Sequence, residues 1–346
     1  MLRPWRAPGR RAAYPVYMDK EATASVSAGA QSGRAVLMLL LATLYWGVSF
    51  PVIKTLVEVC HRLLPEAGTW YLTAATVAPR FLLATLFMVL VRPRGAAWPT
   101  RSEVRQGLGI GIVAAIGTLL QTDGMQFTEA STSSFLTQFS AILIPVSLAV
   151  RNRRNPGAVV WLSCALVLAG VAILGHFNWR TFHFGRGEWE TLLCSLFFSG
   201  QILWVGKKEF AGNRPDAVAL VMFACQAAAF LGMALCTAPD ARALGLPWLS
   251  PAWLGLSVVL TLVCTVAAFT IMTRWQPLIS STEAGIIYCA EPVFASVFSL
   301  FMPALFSGWA HVAYANETAT LSLVAGGGLI TLANILVQVM PVRESA

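Results

Sequence analysis

One carboxylate and one proline stand side by side in the apolar stretch IIYCAEPVFASVFSL, residues 286–300. In a hydrocarbon environment the charge of Glu291 would cost roughly 2.5–3.5 kcal/mol on insertion scales, so it must face a cavity or a partner. Pro292 lacks a backbone N–H, which leaves one helix carbonyl free to face the same cavity. The carboxylate fits coupling to a proton or cation, or direct binding of an amine. The alternative is a packing role, with hydrogen bonds to a neighbouring Ser, Thr or backbone group.

Other polar and aromatic side chains are isolated in similar apolar surroundings. Tyr288 falls on or near the helical face of Glu291. The amide of Gln138 needs several hydrogen-bond partners, and Gln201 and Trp204 form a pair at i and i+3. Trp46 lies in the first apolar block. We expect these residues to line a substrate cavity, with ordinary helix packing as the alternative.

Two basic residues also fall inside apolar blocks. Lys54 lies about two-thirds along the first block, and we expect its side chain to extend to the outer surface. Arg80 is interpreted as an anchor near the outer end of the second helix, or as a gate or a ligand for a substrate carboxylate. Both are therefore gating or anchor candidates.

The composition indicates the solvent around these residues. The chain has 346 residues, of which 57% are hydrophobic and 12% are charged. Ordinary soluble domains carry roughly 25% charged residues. The mean hydropathy is +0.67, and apolar blocks of about 20 residues, enough to cross a bilayer, recur along the whole chain. The sequence therefore predicts an integral membrane protein in contact with the lipid bilayer.

The apolar blocks predict ten transmembrane helices. Each block is long and continuously apolar, which favours helices over the alternating strands of a membrane barrel. The predicted spans are 35–57, 70–91, 106–126, 131–150, 157–176, 188–205, 216–236, 252–275, 284–302 and 321–340. The glycines at positions 107, 109 and 111 indicate close helix packing and not a nucleotide loop, because no strand precedes them.

The basic residues predict the orientation. If both termini are cytoplasmic, 18 of the 24 Lys and Arg residues lie in cytoplasmic segments and four in outer segments. This bias fits the positive-inside rule and predicts a multi-pass protein of the cell (inner) membrane. The net charge of +8 is spread over short loops, so nucleic acid is not an expected partner.

The chain also contains an internal repeat. EASTSSF (129–135) and SSTEAGI (280–286) each open a helix after a short polar turn, 151 residues apart. Five helices in each half would make the second half enter the membrane from the opposite side, as in many secondary transporters. We therefore expect an all-α fold of two inverted five-helix repeats, at 35–177 and 187–341, after a disordered cytoplasmic tail at 1–34. An organelle transit peptide, or an early start codon before Met18, are alternatives for that tail.

Four segments resemble one family. LYWGVSFPVIK (44–54), PRFLLATLF (79–87), EASTSSFLTQFSAILIPV (129–146) and AEPVFASVF (290–298) resemble the first, second, fourth and ninth helices of the EamA branch of the drug/metabolite transporter superfamily. The resemblance implies a ten-helix carrier that moves small metabolites, amino acids or drugs without ATP. The sequence departs from the family pattern at Arg151–Arg154 and in the long loop at 303–320.

Together these features predict a secondary transporter that moves a small organic metabolite by alternating access, in the direction of efflux, with a proton or cation as a possible coupling partner. The chain has no Gly-x4-Gly-Lys-Ser/Thr loop, and its seven cysteines have no Cys-x-x-Cys spacing. We expect no metal, cofactor or catalytic residue. A membrane-embedded lipid- or metabolite-modifying enzyme is the alternative, although His61, His176, His183 and His311 form no dense cluster with acids.

Overall fold

The computed structural model describes residues 20–93, 95, 97–128, 130–153, 155, 157–174, 185–316, 318 and 320–339, and every regular element in these ranges is a helix. The α-helices are α1 (Lys20–Leu63), α2 (Thr69–Leu90), α3 (Arg101–Gly124), α4 (Ala130–Thr137), α5 (Ser140–Asn152), α6 (Ala158–Leu174), α7 (Arg186–Val205), α8 (Pro215–Thr237), α9 (Ala241–Gly245), α10 (Pro251–Thr261), α11 (Ala268–Trp275), α12 (Ser281–Tyr288), α13 (Glu291–Ser299), α14 (Met302–Ala310) and α15 (Leu321–Val339).

Five helical segments of the described chain are long and apolar enough to cross a membrane. They are Ser32–Leu63, Thr69–Leu90, Arg101–Gly124, Pro215–Thr237 and Pro251–Leu278. A sixth is obtained if α12–α13 and α14, which meet at an angle of 58°, are taken as one broken span. The protein is therefore an all-helical, multi-pass membrane protein. The expected count of ten stays a prediction, because several predicted spans are broken or shortened.

Local sequence explains where several helices begin. The Ser280 hydroxyl accepts a hydrogen bond from the Glu283 backbone N–H (3.1 Å), and the Glu283 carboxylate accepts one from the Ser280 N–H (2.8 Å). Thr100 and Glu103 form the same reciprocal pair before α3. These capping boxes satisfy backbone donors that have no partner inside the helix. The SSTEAGI segment thus starts a helix for a definable physical reason.

Two predicted spans are broken near their middles. The predicted span 131–150 consists of α4 and α5, which are separated by residues 138 and 139. The predicted span 284–302 contains α12 and α13, separated by residues 289 and 290. The two breaks are 151 residues apart. Pro292 explains the second break, since it cannot donate to the Tyr288 carbonyl four residues earlier. The described α5 has its proline at Pro145, well beyond the first break.

A third irregular segment joins α10 to α11. Residues Leu262–Ala267 form a π-helical turn, in which the Thr265 hydroxyl donates to the Leu260 carbonyl at 2.8 Å. Such turns shift the backbone bonds from i−4 to i−5 and occur often at functional sites. This turn brings its backbone next to the middle of α2.

Packing joins the first half of the chain to the second. The most extensive described contacts are those of α3 with α7 and α8, α2 with α8, α6 with α15, and α1 with α11 and α13. A Cβ atom added at Gly107 would lie 2.6 Å from Val221 Cβ, and one at Gly111 would lie 2.8 Å from Cys225 Cβ. The predicted close helix packing at these two glycines is confirmed, because only the missing side chain permits that approach.

The loop after α13 is tied to the end of α1. The Arg62 guanidinium donates to the carbonyls of Ala310 (2.9 Å) and His311 (2.8 Å) at the end of α14. His311 has a left-handed backbone with φ of 55°. The Asn316 side chain accepts a hydrogen bond from the Ala304 N–H at 2.7 Å, which folds the loop back onto α14. The long loop noted in the sequence therefore has a defined structure in the residues described.

The ends of the predicted domains fall partly outside the described residues. Helix α1 already begins at Lys20, so helix covers positions 20–34 of the expected disordered tail. Residues 1–19 lie outside the described ranges. So do residues 175–184, which include His176, His183 and most of the predicted boundary between the halves at 177–187.

Candidate functional site

A central cavity of about 90 Å³ lies between helices of both halves. Seven of its lining residues are polar but uncharged, two are charged and six are apolar or aromatic. They are Trp46, Ser49, Arg80, Thr118, Gln121, Thr137, Gln138, Ser140, Phe198, Gln201, Ile202, Phe269, Met272, Tyr288 and Glu291. A volume of this size has room for several water molecules or a small organic group. Costly polar groups inside a membrane bundle are thus gathered around one space.

Glu291 is the first residue of α13 and lines the cavity at the second helix break. Among the described residues it forms no hydrogen bond and no ion pair within 4 Å. The packing role considered above requires such hydrogen bonds from neighbouring residues. The carboxylate therefore faces the cavity with its hydrogen-bonding capacity unused by the described chain.

Arg80 is the other charged group of the cavity wall. It is buried, with 6% of its surface exposed, and its Nε donates to the Thr265 hydroxyl while Nη2 donates to the Cys264 carbonyl at 3.3 Å. Both acceptors belong to the π-helical turn. The guanidinium also lies 5.2 Å from the centre of the Phe81 ring. The π-helical turn thus uses two of the five N–H donors of the guanidinium.

The placement of Arg80 near the outer end of its helix was wrong. Arg80 is the twelfth of the 22 residues of α2, so it lies at mid-helix and at cavity level. Its partners Thr265 and Cys264 are about 185 residues away in sequence, and no local pattern identifies them.

Aromatic rings form the wall beside Glu291. The Trp46 ring lies 5.2 Å from both the Phe269 and Tyr288 rings, in edge-to-face geometry. The Tyr288 hydroxyl donates to the Gln276 side-chain oxygen at 3.0 Å, which fixes the orientation of the ring. The Trp46 Nε1–H is buried and has no partner within the described chain. Such a wall suits an apolar or cationic organic group.

Two amides face the same space. Gln138 lies in the break between α4 and α5, is only 3% exposed, and makes no hydrogen bond to a described residue. Gln201, on α7, donates through Nε2 to the Met272 sulfur at 3.6 Å, and thioether sulfur is a weak acceptor. The amides therefore keep most of their hydrogen-bonding capacity for a molecule in the cavity.

The structure brings together six of the eight candidate residues: Trp46, Arg80, Gln138, Gln201, Tyr288 and Glu291. Trp204 lies outside the cavity wall. It is one helical turn beyond Gln201, stacked 6.4 Å from the Phe210 ring, with the Lys207 ammonium 3.6 Å above its ring. The i, i+3 spacing keeps both residues on neighbouring faces but moves Trp204 towards the end of α7.

Several cavity residues were not selected from the sequence. They are Ser49, Thr118, Gln121, Thr137, Ser140, Phe198, Ile202, Phe269 and Met272. Thr118 and Gln121 are spaced i and i+3 in the apolar helix α3, a polar stripe that could have indicated them. The aromatic residues carried no signal, since apolar rings in membrane helices more often contact lipid or neighbouring helices.

A second pocket lies near the C-terminal ends of α1 and α3. It is lined by Lys54, Val57, Glu58, His61, Ala67, Thr69, Leu72, Met125, Gln126 and Phe127. Lys54, expected to reach the outer surface, is half-buried in this wall. Beside the pocket, Asp123 accepts hydrogen bonds from Thr73 (3.1 Å) and Gln126 (3.3 Å) and forms an ion pair with Arg186.

The Asp123 network connects the two halves of the chain. Arg186 begins α7, and its Nε donates to the Glu190 carboxylate at 2.7 Å. The pKa of Arg186 is raised, first by this hydrogen bond and further by the charges of Asp123 and Glu190. Its guanidinium also lies 4.4 Å from the centre of the Phe127 ring. The C-terminal end of α3 is thus bound to the N-terminal end of α7.

A different ion pair holds the other end of α3. The Glu103 carboxylate accepts hydrogen bonds from Arg214 Nε (2.8 Å), Arg214 Nη2 (2.9 Å) and the Arg214 backbone N–H (3.0 Å). Asn213 donates to the Gln106 side-chain oxygen at 2.8 Å. A bidentate pair of this kind fixes geometry as well as charge. Helix α3 is therefore joined to second-half residues at both ends.

Within the described residues, no group of three or more His, Cys, Asp or Glu side chains could hold a metal ion. His61 lies on the wall of the second pocket, and His311 lies at the end of α14.

Comparison with known proteins finds similarity to a transporter family. Residues 33–175 match the family model of the EamA-like transporter family. An uncharacterized transporter of Archaeoglobus fulgidus is 26% identical over 310 residues, covering 88% of this chain and 85% of that protein. A solved structure described only as the crystal structure of a protein has a TM-score of 0.64 at 15% identity, covering 91% of this chain and 99% of that one. The structural likeness extends the similarity in fold to almost the whole chain.

Proposed function

Because residues 33–175 match the family model of the EamA-like transporter family, we propose that the chain is a member of that family and a secondary transporter of a small organic metabolite that works by alternating access. The observation that carries the proposal is the central cavity, where Glu291, Arg80, Gln138 and Gln201 converge from both halves of the chain. Carriers place their substrate sites near the membrane midplane between repeats, often at broken helices. Two broken helices contribute to this cavity.

We further propose that the fold consists of two inverted five-helix repeats, 35–177 and 187–341, in ten spans. The helix breaks at 138–139 and 289–290 support this, since they fall 151 residues apart, as do the two helix-opening motifs. Each break then lies at the same position in its half. An odd number of spans per half gives the halves opposite orientations.

The packing of the helices supports the same repeat. Exchange of the halves replaces α3 by α10–α11 and α7 by α1, and both the α3–α7 contact and the α1–α11 contact are present. The same exchange converts the α4–α7 contact into the α1–α12 contact and the α5–α7 contact into the α1–α13 contact, and all four contacts are present. The α2–α8 and α6–α15 contacts convert into themselves. A pseudo-two-fold axis between the halves accounts for all these pairs.

Both termini are proposed to lie in the cytoplasm of a cell whose inner membrane holds the protein. The 18-to-4 distribution of basic residues supports that orientation. The second pocket then opens towards the outer face, and the Glu103–Arg214 pair lies towards the cytoplasm. The family resemblance includes carriers that export and carriers that import, and efflux is the direction that we propose.

Glu291 is proposed to bind either a coupling proton or cation or an amine of the substrate. An unpaired carboxylate within the membrane is costly, so binding either partner is strongly favoured over leaving the charge alone. The aromatic wall of Trp46, Phe269 and Tyr288 would contact the organic part of the substrate.

Purified protein in liposomes tests the function with a panel of amino acids, amines, nucleosides and organic acids. We expect saturable flux of at least one compound, and Glu291→Gln should reduce it by at least about tenfold at unchanged expression. Glu209→Gln, at an exposed ion pair outside the cavity, is the matched control and should leave flux unchanged. Turnover of a lipid, with no movement of any panel compound, would instead support a membrane enzyme.

A further inference from the structure

The second pocket lies in line with the central cavity. Along α1 the cavity wall ends at Ser49 and the pocket wall begins at Lys54, about 7.5 Å further along the helix axis. Along α3 the wall passes from Gln121 to Met125, about 6 Å further. Both helices thus pass from the cavity to the pocket in the direction of their C-terminal ends.

A thin layer separates the two spaces. On α1 it contains Phe50 and Ile53, which are 2% and 4% exposed. On α3 it contains Asp123, held by Thr73 and Arg186. One to one and a half helical turns of packed side chains therefore lie between the cavity and the pocket.

The chemistry of the second pocket differs from that of the cavity. Lys54 lines it and forms no hydrogen bond or ion pair with any described residue. Glu58, one helical turn away, is exposed and lies more than 4 Å from the Lys54 ammonium. Leu72, Met125 and Phe127 also line the pocket and make part of its wall apolar. A pocket that combines an unpaired ammonium with apolar side chains is complementary to an organic acid with an apolar body.

We propose that the second pocket is a binding site for a small organic anion, with Lys54 as the ligand of its carboxylate, and that this site is a station on the path to or from the central cavity. The path rests on the proposed transport function, whereas the anion site does not. Arg80 in the cavity wall is a second cationic side chain for the same anion. On this proposal, the carboxylate of the anion passes from Lys54 to Arg80, or the reverse, when it crosses the separating layer.

Cysteine modification tests the anion site without requiring transport. Ala67→Cys places a thiol on the pocket wall, and exposed Cys236 serves as an internal standard in the same protein. The probes are two methanethiosulfonate reagents of similar size, an anionic ethylsulfonate and a cationic ethyltrimethylammonium, with each site quantified by mass spectrometry. At position 67 we measure the ratio of the modification rate with the anionic reagent to that with the cationic reagent. We expect Lys54→Met to lower this ratio by about three- to tenfold, because the positive charge that attracts the anionic reagent is lost. The ratio at Cys236 should not change.

Lys54→Arg keeps the charge and should retain the ratio, which separates loss of charge from misfolding. Benzoate should protect the thiol of Ala67→Cys by about threefold or more in protein with Lys54, and benzylamine should not. An unchanged ratio in Lys54→Met, or equal protection by benzylamine, would overturn the anion site.

A lipid headgroup is the competing source of the anion. The same protection is therefore measured in liposomes of phosphatidylcholine alone and in liposomes that also contain phosphatidylglycerol. Protection by phosphatidylglycerol without added benzoate would assign the pocket to a lipid and overturn the proposal. If benzoate protects but no compound is transported, the proposed function fails and the anion site remains.

Discussion

The two broken helices occupy equivalent positions in the chain and carry different chemistry. The first break begins at Gln138, and Ser140 stands two residues later. The second break begins at Cys289, and Glu291 stands two residues later. Equivalent positions are 151 residues apart. Ser140 and Glu291 both line the cavity, but only one is an acid. The helix break thus occurs at both positions while the carboxylate is present at only one of them. On the proposed repeat, the shared backbone would form the cavity and the differing side chains would set its selectivity.

Glu291→Ser makes positions 140 and 291 alike and should have the largest effect on transport. Transport should fall by more than about tenfold, because the only carboxylate among the described residues of the cavity wall is lost. Ser140→Ala, the matched change at the other break, should lower it by less than about twofold. Flux in the liposome assay checks both variants. Equal losses in the two variants would show that the breaks have equivalent roles.

Moving the acid from one break to the other sharpens the comparison. In Glu291→Ser protein, the further change Ser140→Glu should recover several-fold of the lost flux, because both positions face the same cavity across the proposed two-fold axis. The measurement is flux normalised to the folded protein recovered by size-exclusion chromatography. A folded double variant with no recovery would mean that the carboxylate acts through a position-specific partner.

Substitutions of the residues inside the breaks, Gln138 and Cys289, should differ by a smaller amount in their effect on transport. Gln138→Ala should raise the KM of the transported compound about fivefold, since an amide hydrogen bond contributes about 1 kcal/mol. Cys289→Ala should leave the KM unchanged, because Cys289 is fully buried and its thiol donates to the Gly285 carbonyl at 3.2 Å. Initial rates over a range of concentrations provide the values. A shift in KM for Cys289→Ala alone would reverse the assignment.

Substitutions of the residues that directly precede the breaks, Thr137 and Tyr288, should have the smallest effects, which we expect on stability. Tyr288→Phe removes the hydrogen bond to Gln276, and Thr137→Val removes the bonds of Thr137 with Gln121 (3.3 Å) and with the Ser133 carbonyl (2.9 Å). Each change should lower the free energy of unfolding by about 1 kcal/mol. Thermal unfolding in detergent measures the loss. A loss of several kcal/mol in one variant alone would indicate that the breaks are unequally supported.

Sequence reasoning predicted the broad features of the molecule for identifiable reasons. Composition and block length indicated a helical membrane protein, and an isolated carboxylate in an apolar run indicated Glu291. Pro292 indicated that the helix is interrupted after Tyr288. No residue indicated the break at Gln138, since neither a proline nor a glycine lies at that point.

The remaining features depend on contacts between distant parts of the chain. The depth of Arg80 is set by acceptors in the π-helical turn, which no hydropathy pattern reveals. Trp204 was selected for its spacing from Gln201, but the packing of α7 against α3 and the neighbouring Lys207 determine its position. Lys54 was expected at the surface because long cationic side chains usually reach it, and the pocket that receives it is formed by residues of three segments.

Arg62 has a mechanical consequence beyond the cavity. Its two hydrogen bonds fasten the last turn of α14 to the end of α1, across 248 and 249 residues of sequence. Rotation or sliding of α1 must therefore move α14 and the folded-back loop as well, or break both hydrogen bonds. An antibody fragment bound to the loop at 311–316 would restrict the movement of α1, and would slow transport without entering the central cavity.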